Sequence, residues 1–258
     1  MTSLTNDEAH AHHMARQLVA LRRDLTMEER EFVLTNWHQG ANPTGRLDGA
    51  FFTPEGLADA LEIQVDGESI LDLCAGIGRL AYSCRDYWTR RAHGWPQREI
   101  VCVERNPDFV AVGRKTMPEA TWYCADVMDA AFTSTIGYFD TVVSNPPFGS
   151  IQRSANGGGY RGRRFEYHVI AAAAGLAREG AFIIPQSSAP YQHSGPTGAT
   201  HDYNAEYLRF SQSTGIELTS SSIETSGFEE DWRGAAPRVE IVLADFRLVG
   251  RAQEHAAA

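Results

Sequence analysis

The sequence is short of cysteine, of positive charge and of long apolar runs, and each shortage excludes a class of protein. Its four cysteines, Cys74, Cys84, Cys102 and Cys124, include no C-x-x-C pair. Neither a disulfide scaffold nor a zinc ribbon is expected, and reduced, buried thiols are. His10, His12 and His13 crowd the amino-terminal end, where solvated side chains are expected in preference to a metal site. No apolar run approaches the roughly 20 residues of a bilayer-spanning helix, and the polar start does not read as a signal peptide. These absences predict a cytoplasmic protein with no metal and no membrane partner. Basic residues number 23 against 33 acidic, a formal charge of −10 that opposes long-range attraction to a phosphate polymer.

What is present is enough apolar material, 43% of 258 residues, to bury one full sheet-and-helix core. Met14, Leu18 and Leu21 recur at helical spacing, and Thr26-Met27-Glu28-Glu29 reads as a capping box opening a second helix through Phe32 and Trp37. Residues 1–48 are predicted as a helical arm. Strands are predicted near 69–74, 99–104, 121–124, 139–144 and 181–185, with helical stretches between them. Such alternation predicts an α/β, doubly wound, mostly parallel sheet covered by helices on both faces. Residues 215–223 and 238–247 read as two further strands joined by a loop, and 251–258 as a disordered tail.

Two strand ends carry the chemistry. Ser69-Ile70-Leu71-Asp72-Leu73 runs into the glycine turn Cys74-Ala75-Gly76-Ile77-Gly78, then into a helical pattern with Leu80, Ala81, Cys84, Tyr87 and Trp88 as apolar positions. Glycines there let a ligand approach the backbone, and the helix N-terminus offers unpaired N–H groups. Gly76, Gly78 and Ala81 also satisfy G-x-G-x-x-A, and Glu104 ends the next strand, so a nucleotide-type ligand is predicted. The second strand, Phe139-Asp140-Thr141-Val142-Val143, stops at Ser144-Asn145-Pro146-Pro147-Phe148-Gly149. Proline donates no backbone hydrogen bond, so this turn offers mainly acceptors beside an aromatic ring, a setting for a planar amine. Each residue also has a plainer role open to it. Asp72 can bind the loop's own amides, Glu104 can be a solvated strand-end charge, and Asp126 can be a helix cap. Thr53-Pro54 can simply start a helix with Thr53 as N-cap, and Phe51 and Phe52 can be core anchors.

Together these segments resemble the class I S-adenosylmethionine-dependent methyltransferases, and more narrowly the amino methyltransferases of adenine N6. The likeness runs from about Gly49 to Phe246, with motifs in the order of gamma-type DNA enzymes and type I restriction-modification methylation subunits. It implies a seven-stranded Rossmann-like sheet with a closing antiparallel hairpin, a catalytic domain over 49–250, and S-adenosyl-L-methionine as cofactor. Gly49-Ala50-Phe51-Phe52-Thr53-Pro54 resembles the first motif, and Asp72 to Gly78 the cofactor loop, with Cys74 where many members carry glycine. The implied cofactor residues are Phe52, Thr53, Asp72, Cys74, Ala75, Gly76, Gly78, Glu104 on the ribose, Asp126 and Val127 by the adenine, and Asn145. The implied catalytic motif is Asn145, Pro146, Pro147 and Phe148.

The resemblance also implies the chemistry. The N6 lone pair of adenine is delocalised into the ring, so the amine needs acceptors on its N–H groups; the Asn145 side-chain oxygen and the Pro146 carbonyl are the candidates. Phe148 is expected to stack on the base, contributing roughly 1–3 kcal/mol toward the few kcal/mol of base flipping. Arg153, Arg161, Arg163 and Arg164, interleaved with Gly157-Gly158-Gly159 and Tyr160, are expected to form a flexible loop gripping a nucleic-acid backbone. Gly195 to Asp202 reads as a surface connection that can close over substrate. No separate recognition domain is read after Phe246, so any sequence preference is expected from residues 1–48, the loops after Phe148 and Pro185, or a specificity partner subunit or homodimer, and a loose preference is expected. DNA is the favoured substrate, with structured RNA as the alternative. A protein glutamine methyltransferase is weaker, because that family usually carries Tyr where Phe148 stands, and a non-catalytic subunit of a larger modification complex is the reading from another class.

Overall fold

A computed structural model describes residues 4–38, 51–195, 200–201, 204–233, 237–247 and 249. The first motif's Gly49 and Ala50, most of the Gly195 to Asp202 connection and the 251–258 tail lie outside the described residues. Two arm helices come first, α1 (Asn6–Val19) and α2 (Met27–Asn36), each opened by a complete capping box on Thr5 and Thr26. Of the predicted apolar positions, Leu18 and Leu21 are half-buried against the core but Met14 is 40% exposed, and the buried positions of α1 are His12 and Ala15. His12 is thus no solvated end group. Its ring accepts from the His38 backbone N–H, and burial holds its pKa below the ordinary histidine value.

Then follow α3 (Glu55–Glu62), β1 (Ser69–Leu73), α4 (Arg79–Ser83), α5 (Tyr87–His93), β2 (Glu99–Glu104), α6 (Pro107–Thr116), β3 (Thr121–Cys124), α7 (Ala130–Thr133) and β4 (Phe139–Ser144). The chain closes with α8 (Phe165–Ala173), β5 (Ala177–Pro185), β6 (Tyr191–Gln192), β7 (Thr200–His201), α9 (Ala205–Thr214), β8 (Leu218–Ser220) and β9 (Val239–Asp245). Seven strands form one sheet in the order β3-β2-β1-β4-β5-β9-β8, with β1 to β5 parallel and β9 antiparallel to both its neighbours. This is the doubly wound sheet that the pattern predicted, with the closing antiparallel pair that the resemblance implied. The β6–β7 ribbon was not foreseen.

Alternation along the strands divides the core. Ile70, Cys102 and Val143 face one side, packed with α3, α4, α6 and the arm; Leu71, Val101 and Val142 face the other, with α8 and α9. The helix after the glycine turn is shorter than predicted. It stops at Ser83, and Asp86, in the left-handed region at φ 48°, starts a separate helix that leaves Trp88 70% exposed. Strand β5 starts earlier than predicted, because Ala177 pairs with Phe139 and Glu179 with both Thr141 and Asp245. All four cysteines are free. Cys84 and Cys102 are buried and Cys74 is half-buried, but Cys124, expected to be buried, is exposed at the end of the outermost parallel strand.

Candidate active site

The candidate site lies beyond the carboxyl ends of β1, β2 and β4, where open parallel sheets bind ligands. After β1 the chain turns through Cys74, Gly76 and Gly78 at φ 61°, 57° and 92°. The positive φ at Gly76 and Gly78 favours glycine, and a Cβ there would stand a tight 3.2 Å from the Phe52 ring and 3.1 Å from Trp122. Asp72 is fully buried; Oδ2 accepts from the Ala81 N–H at 3.0 Å, and Oδ1 has no partner. Burial raises its pKa to about 8, with the neighbouring Glu104 charge adding to the effect. Glu104 spans two loops, accepting from the Gly76 N–H at 2.9 Å and the Asn106 N–H at 2.7 Å, and burial raises its pKa against those bonds. Asp126 accepts from the Met128 N–H and the Ser154 hydroxyl, both at 2.9 Å.

At the end of β4 the Ser144 hydroxyl donates to the Leu73 carbonyl, tying this strand end to β1. The Asn145 amide donates to the Phe51 carbonyl and to Thr53 Oγ1, each at 2.9 Å. A carbonyl can only accept, so the amide orientation is fixed, and Oδ1 is buried with no partner. Thr53 is therefore not the predicted N-cap. Pro54 takes the cap position of α3 without a side-chain bond, and the Thr53 hydroxyl is held by Asn145 instead.

One cavity is lined by Phe52, Cys74, Gly76, Glu104, Asp126, Val127, Asn145 and Pro147. An adjoining recess adds Thr53, Asp72 and Ala75. Gly78, Pro146 and Phe148 are not among the residues lining either recess; Pro146 is buried, and Phe148 is half-buried with its ring 5.8 Å from that of Phe51. The structure also brings in residues the motifs did not name. Phe109 packs edge-on to Phe52 at 5.1 Å on the cavity wall. Its signal was Asn106-Pro107, a cap and N1 proline that place Phe109 in the first turn of α6. Glu166 is fully buried, accepting from the Gly149 N–H at 2.8 Å and the Ser188 hydroxyl at 2.6 Å, so it braces the Asn-Pro-Pro-Phe turn from behind.

The segment after that turn is not the flexible loop expected. A Cβ at Gly157 would lie 2.0 Å from the His168 carbonyl oxygen, and one at Gly158 2.5 Å from that of Ala171, so these glycines serve close packing. Tyr160 is fully buried with its hydroxyl donating to Glu206, which removes its ring from any substrate. Arg153 is spent on Asn156 and the Gly162 carbonyl, and Arg164 on Ser187 and Glu166. Arg161 and Arg163 remain exposed.

The sequence profile of the methyltransferase small domain family matches residues 45–193, more than half of the chain. The chain belongs to this family. S-Adenosylmethionine is the cofactor of this methyltransferase, and the site fits it, with carboxylates on two strand ends, a glycine cradle and unpaired acceptors at Asp72 and Asn145. Among curated proteins the sequence has no significant match. Solved structures share the fold at low identity. A Listeria monocytogenes protein described as a class I S-adenosylmethionine-dependent methyltransferase superposes with a TM-score of 0.58 at 11% identity, over 94% of this chain and 81% of that one. A Vibrio vulnificus protein described as a modification subunit of a type I restriction enzyme gives 0.56 at 11%, over 86% and 50%. A Streptococcus thermophilus type I restriction-modification methyltransferase subunit gives 0.52 at 14%, over 76% and 44%. This chain spans about half the length of those two subunits. Among the described residues no three His, Cys, Asp or Glu side chains gather as a metal would need, and no helix is long and apolar enough to cross a membrane.

Proposed function

We propose that this methyltransferase methylates the exocyclic N6 amine of adenine in DNA, acting on a base flipped out of the stack. The observation that carries the reading is the Asn145 amide. Both N–H bonds are spent on Phe51 and Thr53, which aims a desolvated, unpartnered oxygen from the strand end. Bound S-adenosylmethionine would supply a methyl group on a sulfonium, whose carbon–sulfur bond breaks to a neutral thioether as the nitrogen–carbon bond forms, the surplus N6 proton passing to solvent afterwards. Asn145 Oδ1 and the Pro146 carbonyl accept from the N6 hydrogens and hold the nitrogen lone pair in line. Positioning then does most of the catalytic work, and no strong base is needed. Phe148, which follows the two prolines of this turn and packs beside Phe51, stacks on the base. Arg161 and Arg163 are the exposed cations beside this turn, and they are the residues proposed to meet phosphate.

DNA is favoured over RNA because the Phe-Phe-Thr-Pro segment resembles DNA-type enzymes, and the likeness to type I subunits supports a partner that supplies sequence preference. Transfer of labelled methyl to DNA and RNA, followed by mass analysis of the nucleosides, tests the reading. N6-methyl-2′-deoxyadenosine from DNA is the expected product. Label in RNA alone, or on another atom, overturns it.

A further inference from the structure

The recess beside the cofactor cavity has a polar wall that the motifs did not predict. Arg79, the first residue of α4, lines it together with Asp72. Two polar atoms of these side chains are buried without a hydrogen-bond partner, an acceptor at Asp72 Oδ1 and a donor at Arg79 Nε. The residues are 0% and 4% exposed, so bulk water does not satisfy them. Buried polar groups are nearly always paired, and an unpaired acceptor and donor sharing one recess ask for a ligand that brings the complementary pair. An α-amino acid group is such a ligand. Being a zwitterion, it answers an anionic acceptor and a cationic donor without adding net charge to the recess.

The rest of the guanidinium is held by the arm. Nη1 pairs with Glu31 at 2.9 Å and Nη2 donates to Thr35 Oγ1 at 3.1 Å, both on α2. A planar fork fixed at two nitrogens has its third N–H direction fixed as well. We infer that Arg79 binds the α-carboxylate at the methionyl end of the cofactor, opposite Asp72 on the ammonium, and that α2 sets cofactor affinity by holding Arg79 through Glu31 and Thr35. The helical arm is then a working part of the cofactor site. This inference depends on the cofactor alone, so it stands or falls separately from the choice of methyl acceptor.

Calorimetric titration with two ligands tests it. S-Adenosylhomocysteine carries the amino acid group, whereas 5′-methylthioadenosine has the same nucleoside without it. Arg79→Gln is expected to weaken S-adenosylhomocysteine about tenfold or more, the worth of a charged hydrogen bond, and to leave methylthioadenosine unchanged. Glu31→Gln and Thr35→Ala are expected to act in the same direction by smaller factors, again on the first ligand only. Equal losses for both ligands would assign Arg79 a purely structural part and overturn the inference, as would undiminished binding of S-adenosylhomocysteine. If Arg79→Gln does not fold, the same two outcomes are read on Glu31→Gln and Thr35→Ala.

Discussion

Asp72 stands one residue before the end of β1 and Asn145 follows β4, the strand beside it, and the two side chains meet the same requirement with different chemistry. Each spends part of its hydrogen-bonding capacity on the protein and leaves one oxygen buried and unpartnered. For Asp72 the tie is a backbone N–H of α4; for Asn145 it is a carbonyl and a hydroxyl from the segment before α3. The protein thus aims both oxygens by fixing the atoms beside them. The difference is charge. Burial lifts the Asp72 carboxyl to about 8, so its character changes with pH, while the Asn145 oxygen is an acceptor at every pH. On the reading proposed above, an acid suits the end that would meet a cationic amine, and an amide the end that would steady a weak nucleophile.

The strongest way to break this comparison is Asn145→Ala. Loss of a preorganised polar group at a reacting centre costs about 10²–10³ in rate, so methyl transfer should fall by at least that much while calorimetry finds cofactor binding nearly unchanged. Unchanged turnover would remove Asn145 from the mechanism. Asp72→Asn should do the reverse. Without a carboxylate for the ammonium, S-adenosylhomocysteine affinity is expected to drop about tenfold or more, with turnover at saturating cofactor affected less. Thr53→Val is a finer cut. It leaves one Asn145 N–H unpaired at a cost of about 1 kcal/mol, so kcat should fall about fivefold with little change in KM for the cofactor.

The alternation and the ends of β1 and β4 were legible in the sequence because both are short apolar runs stopped by a glycine or proline turn, and a parallel sheet buries such runs on both faces. The cavity was legible for the same reason, since several residues lining it sit where those runs stop. Side-chain partners were not. Thr53-Pro54 reads as a cap and N1 proline, but the hydroxyl is drawn away by Asn145, a residue 92 positions later. Gly157-Gly158-Gly159 reads as flexible, yet the first two of these glycines are packed against carbonyls of α8. Tyr160 reads as part of a gripping loop until Glu206 of α9 captures its hydroxyl inside the core. Glu166 carries no motif, because its value lies in reaching both Gly149 and Ser188. Each of these depends on contacts between distant segments, which local pattern does not encode.

The smallest effect sharpens the charge difference between the two strand ends. The Asp72 pKa in the ligand-free fold, about 8, lies above its unfolded value, which is about 3.9. The folded state therefore binds a proton that the unfolded state has released. Its contribution to stability is complete below the unfolded value and is lost as pH rises through about 8. Glu104 shifts in the same direction, whereas the lowered pKa values of His12, His38 and His168 act in the opposite sense at more acid pH. Comparison of wild type with Asp72→Asn isolates the aspartate. The Tm of the ligand-free wild type should fall more steeply with pH toward 8 than that of the variant. An ammonium at Oδ1 stabilises the carboxylate, so binding of S-adenosylhomocysteine below that pH should release a proton and tighten as pH rises, a dependence that Asp72→Asn removes. Asn145→Ala should leave both slopes untouched, because an amide has no proton to exchange in this range. If the two variants showed the same pH dependence, the division of labour between the two strand ends would be wrong.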